Sequence, residues 1–275
     1  MAALPVSAVP QSPEGFYAVN NQFLVSGPKG LMEFKMLENE DTYIRFDLPG
    51  DPENGVMSFI DESKKTITIC AYAPKEHRHD GSHRIYGTCF KPKLKIGRTK
   101  TQLICKCHDI SSFTSHMSDG VLRLIATKTH AATQCPCFLI LDGEGSCACD
   151  ADPAHRNFLP GMDPEAQNPT LSGHTLMPHV GVYEGSPMAY ESKQLPDGKL
   201  YVRVDMPGVP KENFTVSVTN GRVKVTGEAP ARDHDSAGRF YSGDVAVLSA
   251  LVDIPSRRVK TIAKNGVLRL LIPRV

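Results

Sequence analysis

The chain states one pattern twice. Residues 27–50 and 185–208 align without a gap at a constant offset of 158. Glu33, Lys35, Leu37, Tyr43, Arg45, Asp47, Pro49 and Gly50 answer Glu191, Lys193, Leu195, Tyr201, Arg203, Asp205, Pro207 and Gly208. The likeness returns downstream. Ala73-Pro74 and His79-Asp80 match Ala229-Pro230 and His234-Asp235, and Arg84-Ile85-Tyr86-Gly87 resembles Arg239-Phe240-Tyr241-Ser242-Gly243. Gly120 to Leu124 repeats as Gly266 to Leu270. Matched blocks in one order require a duplicated unit, and two long copies make tandem domains rather than a solenoid. The expected division is an arm over 1–26, a first domain over 27–130, a Cys-, Pro- and Gly-rich linker over 131–184 and a second domain over 185–275.

Both copies read as β-sheet. Tyr201 to Met206 alternates, placing Val202, Val204 and Met206 on one face and Arg203 and Asp205 on the other. Tyr43 to Leu48 does the same. Pro207-Gly208 ends the strand, since proline cannot donate to a ladder and glycine turns freely. Phe214 to Gly227 predicts a hairpin about Asn220-Gly221, a pair suited to a turn that needs positive φ twice. Val56 to Ile60 and Thr66 to Ala71 predict a looser hairpin around Asp61 to Lys64. Each copy closes on an apolar strand, Val121 to Ala126 and Val267 to Ile272. No long amphipathic helix is legible. Short strands with regular turns predict an all-β protein with an antiparallel sandwich in each copy.

Bulk composition excludes several partners. Lys and Arg total 31 against 30 Asp and Glu, so no charge excess draws nucleic acid or an anionic membrane. No apolar run approaches a membrane span. Met1 to Pro13 lacks the basic and apolar regions of a signal peptide, which sets the expectation of a cytoplasmic protein, with the nucleus as the second compartment. The eight cysteines are then expected as reduced thiols.

Cys135, Cys137, Cys147 and Cys149 form two Cys-x-Cys pairs that could supply four thiolates to zinc. The usual spacing leaves two residues between cysteines rather than one. Free thiols are therefore the favoured reading, and no cofactor is expected. His77, His79 and His83 lie among Lys75, Arg78 and Arg84, and read as a solvated loop ahead of a metal or anion site. Asp47 and Asp205 suit strand-end turns better than catalysis. No phosphate-cradling, dinucleotide-binding or nucleophile-elbow motif occurs, so an enzyme is not expected.

The second copy resembles the α-crystallin domain of plant small heat-shock proteins. The resemblance rests on Val204-Asp205-Met206-Pro207-Gly208, the Phe214 to Gly227 hairpin, Asp253-Ile254-Pro255, and Ala263 through Pro273. Asp47-Leu48-Pro49-Gly50 and Asp119 to Leu122 give the first copy as a divergent version. The resemblance implies two immunoglobulin-like antiparallel β-sandwiches in tandem. It implies ATP-independent binding of exposed apolar segments of partly unfolded proteins. The alternative is an adaptor that docks one specific protein partner through the sandwich edges. A groove with Val267, Leu268 and Leu270 on its last strand is the expected contact. Arg84, Tyr86, Arg239 and Tyr241 are the expected dimer-contact residues. Family members carry a tail anchor beyond the last strand, whereas this sequence stops at Val275, and tandem copies can satisfy each other's edges. A monomer or dimer is expected rather than a large shell.

Overall fold

The computed structural model describes residues 17–19, 21–87, 102–104, 109–129, 140–141, 174–176 and 178–274, except positions 29, 40, 63, 65 and 180. Strands β1 (Tyr17–Val19) and β2 (Leu24–Ser26) precede the first repeat. The first repeat holds β3 (Met32–Met36), β4 (Thr42–Asp47), β5 (Val56–Ile60), β6 (Thr66–Ala73), β7 (Arg84–Tyr86), β8 (Gln102–Ile104), β9 (Ile110–Ser118) and β10 (Val121–Lys128). Between the repeats lie β11 (Ile140–Leu141), β12 (His174–Leu176) and β13 (Val182–Glu184). The second repeat holds β14 (Tyr190–Gln194), β15 (Leu200–Asp205), β16 (Phe214–Thr219), β17 (Arg222–Ala229), β18 (Arg239–Val247), β19 (Lys260–Lys264) and β20 (Val267–Ile272). Among the described residues the only helical element is a 3-10 turn, Ser256–Arg258.

The turns follow their residues. Asn220-Gly221 takes φ of 49° and 72° at the β16–β17 hairpin, the paired positive values that such a turn demands. Asp119-Gly120 and Asn265-Gly266 do the same before β10 and β20.

Two four-stranded antiparallel sheets correspond between repeats, β3-β4-β10-β9 and β14-β15-β20-β19. The other two large sheets mix the repeats. β2 pairs with β18, setting Ser26 opposite Phe240 and Leu24 opposite Tyr241. β13 pairs with β7, setting Val182 opposite Tyr86. Each strand therefore precedes one repeat and completes a sheet of the other. The same offset relates Leu24–Ser26 to Val182–Glu184, so the duplicated unit begins earlier than Gly27 and Gly185. β1 and β12 also pair with each other, in parallel.

Two apolar clusters form. The first joins Ile44, Phe46 and Leu48 to Ile67, Ile69 and Tyr86, and to Leu122 and Leu124 of β10. The second joins Val202, Val204 and Met206 to Val223, Val225, Tyr241, Leu268 and Leu270. It also takes Phe23, from the segment ahead of the first repeat. Val267, Leu268 and Leu270 are closed to solvent, each at 0%. They lie on β20, between β15 and β19, and so hold the core rather than line an open groove. Cys70 is fully buried and disulfide-bonded, which corrects the expectation of eight reduced thiols. The other seven cysteines, its partner among them, lie outside the described residues.

Candidate functional site

The charged face of β4 and β15 is buried as well as the apolar face: Arg45 and Asp47, Arg203 and Asp205 are all closed off. What covers them is the other repeat. Arg84 on β7 donates from Nη1 to Asp205 Oδ2 at 2.6 Å. Its Nε and Nη2 donate to the carbonyls of Ser186 and Met188, each at 2.7 Å. Arg239 on β18 makes the mirrored set. Its Nη1 donates to Asp47 Oδ2 at 2.6 Å, and its Nε and Nη2 donate to the carbonyls of Pro28 and Gly30 at 2.9 and 3.0 Å. Ser186 and Met188 stand at the common offset from Pro28 and Gly30. The two contact sets are thus one arrangement used twice, with the repeats exchanged.

Two tyrosines lock these arginines. Tyr86 donates to the Pro49 carbonyl at 2.6 Å, and Tyr241 to that of Pro207 at 2.9 Å. Each also accepts from its own arginine, Arg84 or Arg239, at 3.4 Å. Burial alone would depress both guanidinium groups. The Asp205 and Asp47 carboxylates, with the adjacent tyrosines, more than offset it and hold both above their usual range. Burial pushes the Tyr86 hydroxyl up to about 12, so it stays a donor. Leaving one member of such a buried pair without its partner costs about 3–5 kcal/mol.

A second pair of clamps lies farther out. Asp235 accepts from Arg123 Nη2 at 2.8 Å and from the Tyr43 hydroxyl at 2.5 Å. Asp80 likewise accepts from Arg269 Nε at 2.9 Å and from the Tyr201 hydroxyl. Burial would raise the Asp235 carboxyl, but Arg123, Arg45 and Tyr43 bring it down to about 2. The His77 ring stacks on Tyr201 at 5.3 Å and 8°, and His79 tilts onto the same ring. Two members of the histidine cluster therefore pack on the other repeat instead of standing in solvent.

Backbone closes the middle. Gly50 N–H donates to the Asn265 carbonyl at 2.9 Å, and Gly208 N–H to the Asp119 carbonyl at 2.8 Å. Gly120 and Gly266 meet the opposite turn so closely that a Cβ on either would collide with Asn265 or Asp119 carbonyl oxygen. His179 takes a proton-donor role at the edge. Its Nδ1 accepts from Gly181 N–H, so Nε2 donates to the Asp47 carbonyl at 2.7 Å. Asn21, at the equivalent place, donates to the Asp205 carbonyl and accepts from Phe23 N–H.

All four expected contact residues, Arg84, Tyr86, Arg239 and Tyr241, are brought into this interface, which joins the two repeats of a single chain. Their acceptors, Asp47 and Asp205, had been read as strand-end turns. The signal was present, because both aspartates and both arginines recur between copies. Asn21 and His179 left no such signal, being different residues in one role. Cys135, Cys137, Cys147 and Cys149 lie outside the described residues. Among the described residues no group of three or more His, Cys, Asp or Glu could hold a metal ion, and no helix is long and apolar enough to cross a membrane. Chemically the interface fixes guanidinium against carboxylate in a closed setting, which suits holding rather than reaction.

A family described as predicted plant small heat shock protein matches residues 3–275. The putative 57 kDa heat shock protein of Arabidopsis thaliana is 34% identical, over 86% of this chain and 56% of its own length. The chloroplastic small heat shock protein of Solanum lycopersicum is 37% identical over 28% of this chain and 35% of its own length. The mitochondrial heat shock 22 kDa protein of Glycine max is 31% identical over 43% of this chain and 55% of its own. This chain thus spans 35% to 56% of the length of these relatives. Heat shock protein 16.0 of Schizosaccharomyces pombe overlaps 31% of this chain and 72% of its own at 22% identity and a TM-score of 0.25, too slight a likeness to build on. The small heat-shock family is one of non-enzymatic proteins. With a match running over nearly its whole length, the chain belongs to the plant small heat shock proteins.

Proposed function

We propose that the chain is an ATP-independent holdase that binds exposed apolar segments of partly unfolded proteins, built as two immunoglobulin-like sandwiches that serve as each other's partner. The family match over residues 3–275 carries this reading. The mirrored arginine–aspartate contacts support the pairing of the halves, as does the laddering of β2 on β18 and of β13 on β7. With Val267, Leu268 and Leu270 in the core, the client surface is assigned to apolar side chains left open. Val247, which ends β18 opposite Arg222, and Leu251, just after that strand, are exposed at 67% and 75%. Burying such surface is worth roughly 25 cal/mol per Å². One small unit offers little of it, so the activity is weak. The linker thiols are taken as free and no cofactor is assigned. The compartment is taken as cytoplasmic, although relatives are named for chloroplasts and mitochondria.

The test is aggregation of a heat-labile enzyme with and without equimolar protein. Partial suppression is expected, reduced in a Val247→Ser, Leu251→Ser variant that still folds. No effect on several clients, together with micromolar binding of one specific protein, would replace the holdase with an adaptor.

A further inference from the structure

Each repeat sends one loop across to clamp the other, and the two loops differ at one titratable position. Residues 74–83 reach β15 and β20, and residues 230–238 reach β4 and β10. Asp80 and Asp235 correspond, as do His79 and His234. His77 stands where the second loop has Arg232, since each donates its backbone N–H to the clamp aspartate three residues on. The second repeat provides for that cation: Arg232 Nη2 lies 3.9 Å from Asp119 Oδ2, with its side chain 53% exposed. Asn265 is the equivalent of Asp119, each standing before the glycine that opens the closing strand, so the first clamp has an amide where the second has a carboxylate.

His77 is instead built in as a neutral ring, laid flat on Tyr201. Its Nδ1 accepts the His79 N–H at 3.3 Å, so the neutral ring carries its proton on Nε2. A second proton would have to sit on Nδ1, against a donor. Burial and the His79 ring hold His77 below its usual range; Arg269 and Arg78 add to this, and Asp80 opposes it. The other charges around the ring are committed to each other. Asp80 holds Arg269 at 2.9 Å, Glu76 holds Lys264 at 2.8 Å, Glu191 holds Lys193 at 3.4 Å and Asp205 holds Arg203 at 3.0 Å. Lys193 also sits over the Tyr201 ring at 5.5 Å.

We propose that His77 makes the first clamp acid-sensitive: on taking a second proton its ring leaves Tyr201 and the loop over 74–83 loosens from the second repeat, while the clamp that carries Arg232 stays closed. The proton comes from solvent and goes to Nδ1, and the His79 N–H loses its acceptor. The open loop binds that proton more readily than the closed one. The clamp is therefore complete above about pH 6.5 and weakens as pH falls below it. If only the open loop takes the proton, opening rises by about tenfold at about one pH unit below that value. The buried Arg84–Asp205 and Arg239–Asp47 pairs are untouched, so mild acid loosens one side of the interface without parting the repeats. None of this depends on the holdase reading.

Amide hydrogen exchange of the full chain tests this, at about pH 7.5 and about pH 5.5 to bracket the ordinary histidine range, with rates corrected for intrinsic exchange. Peptides over 74–83 should lose protection in acid severalfold, up to about tenfold, and peptides over 230–238 should keep theirs. Because His79 and His234 occupy one position, the second loop controls for the shared histidine. His77→Phe keeps a ring for Tyr201 but takes no proton, so its loop should be indifferent to pH. Asn265→Asp supplies the carboxylate that Arg232 finds in Asp119, and should shrink the acid loss. The backbone there suits aspartate, with φ of 51° at Asn265 and 48° at Asp119. Equal losses in both loops overturn the proposal. So does a native first loop equally protected at both pH values, or an acid loss that either variant leaves undiminished.

Discussion

Replacing Asp51 by valine should stabilise the protein, and by more in mild alkali than in mild acid. Asp51 follows Gly50 and is 1% exposed, with neither carboxylate oxygen accepting a hydrogen bond of normal geometry. The equivalent residue in the second repeat is Val209, at 0% exposure in the apolar cluster. The backbone position is therefore one that valine fits. Burial, eased only slightly by the Tyr72 backbone N–H, lifts the Asp51 carboxyl from 3.8 to about 7. A raised carboxyl means that the folded state prefers the neutral acid. Its stability is complete below the unfolded value and is lost as pH rises through about 7. The full shift is worth about 4 kcal/mol at about pH 8, but only about 1.5 kcal/mol at about pH 5. Asp51→Val removes that loss, so its benefit should grow by roughly 2.5 kcal/mol between those two conditions. Urea unfolding of wild type and variant at both pH values measures it. Asp51→Asn, which keeps the shape and cannot ionise, should also lose the pH slope. An equal benefit at both pH values, or a loss at either, would refute the reasoning.

Three further outcomes are expected. Arg84→Met should cost up to about 3–5 kcal/mol by leaving buried Asp205 with Arg203, 3.0 Å away, as its remaining cation, and Asp205→Asn should then cost less in that background than alone; additive effects in a double-mutant cycle would show that the pair does not couple. Leu268→Ala should cost about 2–5 kcal/mol in urea unfolding as a core residue, whereas a client-contact residue would lose aggregation suppression without losing stability. Because the Asp235 carboxyl is held at about 2, its contribution should be intact above about pH 4 and vanish as pH falls through 2; Asp235→Asn should remove that part of the acid transition, and an unchanged acid titration would count against the clamp.

The strands were legible because alternation is a local signal. Val202, Val204 and Met206 face a core as their period requires, and Asn220-Gly221 turns as its residues require. The exchange of β2 and β13 was not legible. Leu24–Ser26 and Val182–Glu184 share no repeated motif, and nothing local tells a three-residue strand which sheet it will join. Val267, Leu268 and Leu270 were misassigned for a related reason. An apolar strand looks the same in sequence whether it borders a groove or sits between two neighbours. The Arg84 and Arg239 contacts were foreseen as a region, since both copies repeat them. Their acceptors were missed, because an aspartate before Pro-Gly suits a turn in isolation. Only the opposing arginine, far along the chain, reveals its second partner.

Joining the partners covalently changes what substitution can do. In a pair of identical chains, any replacement appears on both sides of the axis at once, and a residue good on one side must be tolerable on the other. Here each half meets a fixed, non-identical counterpart that dilution cannot remove. Asp51 against Val209, Met57 against Thr215 and His179 against Asn21 are positions where the halves have gone separate ways while the arginine–aspartate contacts stayed paired. One half can thus specialise while the other preserves the scaffold. Cutting the chain between the repeats would return the halves to ordinary mass action, and with it the need to find one another.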